Sequence, residues 1–148
     1  MHHIIRLASI AALLSSTSAI SVTYNTVYDE GSTPISQLAC YKEGAGIISD
    51  FEYPDGDTLS SISPRIMGLD AIDGLDSSPC GSCWVLVYGD EARPFLAVDR
   101  AKSGIVLSLE GMNSLTGGKA DALGRIEVNA TRVSLLSCGL YIPPDNEI

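Results

Sequence analysis

Histidine is nearly absent from this chain of 148 residues: only His2 and His3 occur, both ahead of the first apolar run. The rest of the sequence has no imidazole, which excludes a Ser-His-Asp triad and a Cys-His pair and removes the commonest zinc ligand. Cations are scarce as well, nine Lys and Arg against 18 Asp and Glu, for a net charge of -9. Phosphate backbones are bound by clustered Lys and Arg, so nucleic acid is excluded as a partner. No apolar run reaches the ~20 residues that span a bilayer. Glycine-rich phosphate loops and internal repeats are missing too.

What remains suits one compact domain, 45% hydrophobic and 18% charged. Met1–Arg6 with its single strong cation, the apolar Leu7–Leu14 and the small, polar Ser15–Ala19 have the order of a secretory signal peptide. Cleavage is expected after Ala19, leaving a domain at 20–142 and a flexible tail at 143–148 that begins at Pro143-Pro144.

Four cysteines, Cys40, Cys80, Cys83 and Cys138, are an even number behind an export signal, and two disulfides are expected from three possible pairings. Cys80-Gly81-Ser82-Cys83 is a CxxC, but a zinc knuckle lacks its second pair or its histidines. A redox CxxC normally opens a helix, whereas the apolar strand pattern Trp84–Tyr88 follows at once.

The periodicity is mainly that of strands. Val22–Asn25 alternates, short apolar pieces between Ile62 and Leu75 are broken by Pro64, Gly68 and Gly74, and Trp84–Tyr88 with Phe95–Val98 predict a hairpin around Gly89–Pro94. Arg125–Val128 and Arg132–Leu136 predict two more strands. Ile105, Leu109, Met112 and Leu115 recur at helical spacing, which predicts a helix over 104–116 with Ser103 as N-cap and Gly117-Gly118 as the stop. Gly111 inside it costs about 1 kcal/mol relative to Ala, so close packing or an irregularity is expected there. Tyr41–Asp57 reads as loop.

Several segments together resemble one family. Cys80-Gly81-Ser82-Cys83-Trp84, then Ala97-Val98-Asp99, then Met112-Asn113-Ser114-Leu115-Thr116-Gly117-Gly118-Lys119-Ala120, with Leu123-Gly124-Arg125-Ile126 and Cys138-Gly139-Leu140, are similar to the cerato-platanins, small secreted fungal proteins. The resemblance runs from Val22 to Leu140. It implies a mainly β fold, a six-stranded double-psi β-barrel with one or two short helices, related to the first domain of expansins. It also implies the pairings Cys40–Cys80 and Cys83–Cys138. The implied function is a secreted, noncatalytic protein of the extracellular space and fungal wall that binds chitin or N-acetylglucosamine oligomers and elicits plant defence, with a plant-surface receptor as a further partner. An expansin-like or surface-active wall protein without hydrolysis is the alternative. No cofactor or metal is implied.

Asp99, which ends an apolar strand, matches the family's groove acid, and a carboxylate suits sugar hydroxyls. It could equally fix its own loop through backbone amides or pair with Arg100 or Lys102. Arg100, Asn113 and Tyr24 complete the candidate ligand-binding set. Hydrolysis would need a second, protonated carboxyl about 5 to 9.5 Å away, and Asp50, Glu52, Asp55 and Asp57 read as solvated loop acids. The sequence departs from the family at Tyr41-Lys42-Glu43-Gly44, at Val106, which cannot hydrogen-bond a sugar, and at Leu75 in place of an aromatic. Trp84 reads as core. Asn129-Ala130-Thr131 is an N-glycosylation sequon between the last two predicted strands, with an unmodified turn as the alternative.

Overall fold

The computed structural model describes residues 18–44, 57–62 and 65–140. Apart from Ser18 and Ala19 the expected leader lies outside these residues, as do the tail, Pro64 and the loop acids Asp50, Glu52 and Asp55. Six strands, β1 (Ala19–Tyr24), β2 (Ile66–Leu69), β3 (Cys83–Tyr88), β4 (Glu91–Arg100), β5 (Ile105–Leu107) and β6 (Ile126–Val133), close into a barrel in the order β1-β5-β2-β4-β3-β6. Two neighbouring pairs, β1 with β5 and β2 with β4, run parallel, and the other four are antiparallel. Closure leaves the sheet without free edges.

Alternation along the strands sets the two faces of the wall. Val22 faces Ile105 and Ile126, Met67 faces Leu107, and Leu86 faces Ala130, so these positions line the interior, with Val22, Met67, Leu86, Ile105 and Leu107 fully buried. Between Met67↔Ala97 and Gly68↔Asp99 the register slips by one residue, a bulge with Val98 as the extra residue. A bulge re-aims the side chains that follow it. Ala97 lies on the inner row, and Asp99 is turned to the outer one beside Gly68.

Two helices follow β5: α1 (Leu109–Thr116) and α2 (Ala120–Leu123). Ser108 Oγ accepts from Gly111 N–H, and both Asp29 oxygens accept from the N–H groups of Leu109 and Glu110, so the first turn of α1 is capped from two segments. Gly117, with φ +64°, closes the helix.

Several expectations are corrected. The helix predicted from 104 starts at Leu109, with Ser108 rather than Ser103 as its cap, because Ile105–Leu107 is a barrel strand. The two strands predicted after Arg125 are one strand, β6, and Leu135–Cys138 forms a 3₁₀ turn. Between Ile62 and Leu75 the described residues form a single strand, β2. The hairpin turn is only Gly89-Asp90, since β4 begins at Glu91 and tolerates Pro94. Pairing of β2 with β4 starts at Leu96, so Pro94 has no β2 partner to serve, and its missing N–H is harmless.

The disulfides are Cys40–Cys80 and Cys83–Cys138, as the resemblance implied. The first ties the loop after the 3₁₀ turn Ile35–Gln37 to the entry of β3, and the second ties β3 to the end of the domain.

Candidate functional site

The bulge in β4 directs Asp99 onto the outer wall, where it is half-buried. Tyr28, on the 3₁₀ turn Thr26–Asp29 that follows β1, donates its hydroxyl to Asp99 Oδ2 (2.7 Å), and the Ala39 backbone N–H donates to Oδ1 (2.9 Å). Cys40 N–H donates to the Val98 carbonyl, so the Ala39-Cys40 segment and its disulfide lie along the bulged strand. Gly68 leaves room for the phenol: a Cβ there would come 2.9 Å from Tyr28 Oη. Asp99, Gly68, Val106 and Thr23 form one register row across four strands on the barrel's outer face, a patch in which Gly68 is buried beneath the Tyr28 hydroxyl and the other three are half-buried.

Asp99 is therefore held by a backbone amide, as one sequence reading had it, and by a buried phenol that sequence reasoning missed. The alternative of an ion pair with Arg100 or Lys102 is not what the structure contains. Arg100, paired in register with Leu69, is exposed at the strand end and makes no ion pair among the described residues. Each oxygen of Asp99 accepts one hydrogen bond from the protein and keeps lone-pair capacity for a ligand.

Tyr24 and Asn113 are placed elsewhere, around α2. Tyr24, on the inner row, donates its hydroxyl to Asp121 Oδ1 (2.9 Å), and this bond, then burial and the charge of Asp121, raise its pKa above the ordinary tyrosine value. Asn113 Oδ1 accepts from Ala120 N–H (2.9 Å), holding the start of α2 against α1. The four candidate residues thus divide into Asp99 with Arg100 on β4, and Tyr24 with Asn113 beside α2. Of the sequence departures, Val106 is half-buried on the Asp99 row and Leu75 is exposed. Trp84 packs against the core and donates Nε1–H to Ser82 Oγ (2.7 Å). Among the described residues no group of three or more His, Cys, Asp or Glu could hold a metal ion.

Burial of Tyr28 first, then its bond to Asp99 and the charge of Asp99, push its phenol far above the usual value near 10. A pKa raised in the folded state adds stability that is complete below the unfolded value of about 10 and is lost as pH climbs toward the folded one. Stability is therefore expected to fall above about pH 10. In an alkaline absorbance titration one of the six tyrosines should ionise only with unfolding. Six phenols titrating together in the folded protein would contradict the Tyr28–Asp99 arrangement.

Comparison with known proteins decides the family. The cerato-platanin family model matches residues 20–140. The chain belongs to the cerato-platanin family. It is 32% identical over 130 residues to the heat-stable 19 kDa antigen of Coccidioides posadasii, covering 88% of this chain and 86% of that one. It is 28% identical to the cerato-platanin of Ceratocystis fimbriata f. sp. platani, covering 88% and 94%. Among solved structures, cerato-platanin 3 of M. perniciosa superposes with a TM-score of 0.73 at 29% identity, covering 83% of this chain and all of the other. The solution structure of the fungal elicitor cerato-platanin gives 0.66 at 25% identity, covering 80% and 96%. The cerato-platanin barrel, its two disulfides and its mainly β character are thus common ground between the resemblance and the structure. No helix among the described residues is long and apolar enough to cross a membrane.

Proposed function

We propose that this cerato-platanin is a secreted, noncatalytic carbohydrate-binding protein of the extracellular space and fungal wall. Its ligands are chitin or N-acetylglucosamine oligomers, and it elicits plant defence through a plant-surface receptor. The observation that carries this reading is the outer-wall patch around Asp99. Its carboxyl receives hydrogen bonds from Tyr28 and Ala39 and is held as an acceptor with capacity left for sugar hydroxyls. Arg100, exposed at the end of β4 on the neighbouring register row of Leu69, is carried in this reading as a further donor at the edge of the barrel wall. Tyr24 and Asn113 belong to this reading as a second contact region near α2, where the Asn113 amide N–H₂ remains to donate. The solved relative described as a fungal elicitor supports the defence role, and the signal-like first 19 residues support export. Asn129, on the exposed outer side of β6 opposite Ala19 and Val87, is accessible for a glycan.

Titration of the disulfide-bonded protein with N-acetylglucosamine hexamer should saturate. Asp99→Ala is expected to weaken binding about tenfold, the loss of one charge-assisted hydrogen bond worth about 1.5 kcal/mol. Unchanged affinity in that variant would remove Asp99 from the site, and release of shorter oligomers would overturn the noncatalytic reading.

A further inference from the structure

On the inner row of β4, at the barrel mouth covered by α1, a cleft of about 290 Å³ is lined by Arg65, Arg93, Pro94, Phe95, Gly111 and Ser114. Its size lies at the lower edge of the range for small-molecule sites, about 300–1,000 Å³. The walls come from three separate segments. Arg65 immediately precedes β2 and its carbonyl accepts from Leu96 N–H (2.7 Å). Arg93 and Phe95 face Leu86 and Trp84 on the inner side of the wall. Gly111 and Ser114 are one turn apart on α1 and share its face toward β4.

The charge here runs against the rest of the molecule. Two of only nine Lys and Arg line one small cleft in a chain of net charge -9, one of them paired with Glu91. Arg93 is oriented by Glu91 (2.8 Å), both side chains being about half exposed at 49% and 46%. One guanidinium edge is thereby used and its other N–H donors are left over. Arg65 has no ion pair among the described residues. Between them in the lining lies the apolar, half-buried Pro94, with Phe95 beneath it sealed into the core. Ser114 Oγ donates to the Gly111 carbonyl (2.5 Å), so its lone pairs remain as acceptors. Gly111, unfavourable within a helix, is buried and lines the cleft from α1.

We propose that this cleft binds a six-membered ring carrying one carboxylate, the carboxylate on the Arg65 and Arg93 guanidiniums and the ring against Pro94. A guanidinium matches a carboxylate through parallel N–H donors, and the apolar Pro94 surface between the two arginines favours a ring over a free inorganic anion. Two sources carry this chemistry, a hexuronic acid sugar and an aromatic acid. The site is distinct from the Asp99 patch, since Asp99 lies further along β4, past the bulge, and on the outer face.

Calorimetric or NMR titration of the disulfide-bonded protein with galacturonic acid, benzoic acid and neutral galactose tests this. Saturable binding of at least one of the two acids is expected, with the tighter one identifying the source, and no saturation with galactose. Arg65→Gln and Arg93→Gln, both at exposed positions, should each weaken acid binding at least tenfold. The same variants should leave N-acetylglucosamine hexamer binding unchanged, which keeps the fate of this site separate from that of the Asp99 patch. Failure of both acids to saturate, galactose binding as well as the acids, or wild-type acid binding in both arginine variants would overturn the proposal.

Discussion

Reduction of both disulfides is expected to unfold the protein at room temperature. Cys40–Cys80 and Cys83–Cys138 close loops with sequence separations of 40 and 55 that do not overlap. Chain-entropy arithmetic assigns each about 4 kcal/mol, so together they supply about 8 kcal/mol. Domains of this size are stable by about 5–15 kcal/mol, so the loss is comparable to the whole. The links also act locally. Cys40 carries the segment whose Ala39 N–H holds Asp99, and Cys138 anchors the final 3₁₀ turn to β3. Near-ultraviolet circular dichroism before and after a phosphine reductant should show loss of the cooperative melt. A reduced protein melting within a few degrees of the oxidised one would contradict this.

Gly104→Ala is expected to be the most damaging single substitution outside the cysteines. Gly104 stands at φ +61°, where an L-residue costs about 1–2 kcal/mol. A Cβ there would lie inside contact distance of the Ser21 carbonyl oxygen, a backbone atom of β1. Relief requires β1 and the entry of β5 to separate, and with them the hydrogen bonds from Gly104 N–H to Asp70 Oδ2 (2.8 Å) and from Asp70 N–H to the Gly104 carbonyl (3.0 Å). Strain plus displacement amount to about 3–5 kcal/mol, or a fall in melting temperature on the order of 10 °C. Gly89→Ala is the control: it too has positive φ (+57°), but its Cβ would meet nothing within 4 Å. Equal losses in the two variants would show that conformational strain alone, and not the approach of β1, sets the cost.

The residues that made the fold legible are those with one dominant local signal. Trp84–Tyr88 and Phe95–Val98 read as a hairpin because both are apolar runs flanked by turn residues, and both lie within observed strands. The start of α1 was obscured by coincidence of periods: Ile105 falls on the helical series of Leu109, Met112 and Leu115, yet with Leu107 it serves a strand of period two. Asn129-Ala130-Thr131 resembles a turn in composition, but the middle of β6 is held by β1 and β3, and that tertiary pairing overrides local preference.

The candidate site was legible only at Asp99. Nothing in the spacing links Tyr28 to a carboxylate 71 positions later, since the contact depends on a bulge that turns Asp99 outward. Gly68 carried a usable signal: a glycine inside an apolar strand marks close approach of another group, here the Tyr28 hydroxyl. The cleft between Arg65 and Arg93 was hidden for the same reason, because barrel closure brings its three segments together.

Amide chemical-shift mapping of the disulfide-bonded protein with N-acetylglucosamine hexamer, with the sugar recovered afterwards, tests the outer-wall site most directly. The expected result is saturable shifts centred on Ala39, Gly68, Asp99 and Val106, with the hexamer recovered intact. Shifts confined to other faces of the barrel, or a shortened oligomer, would contradict it.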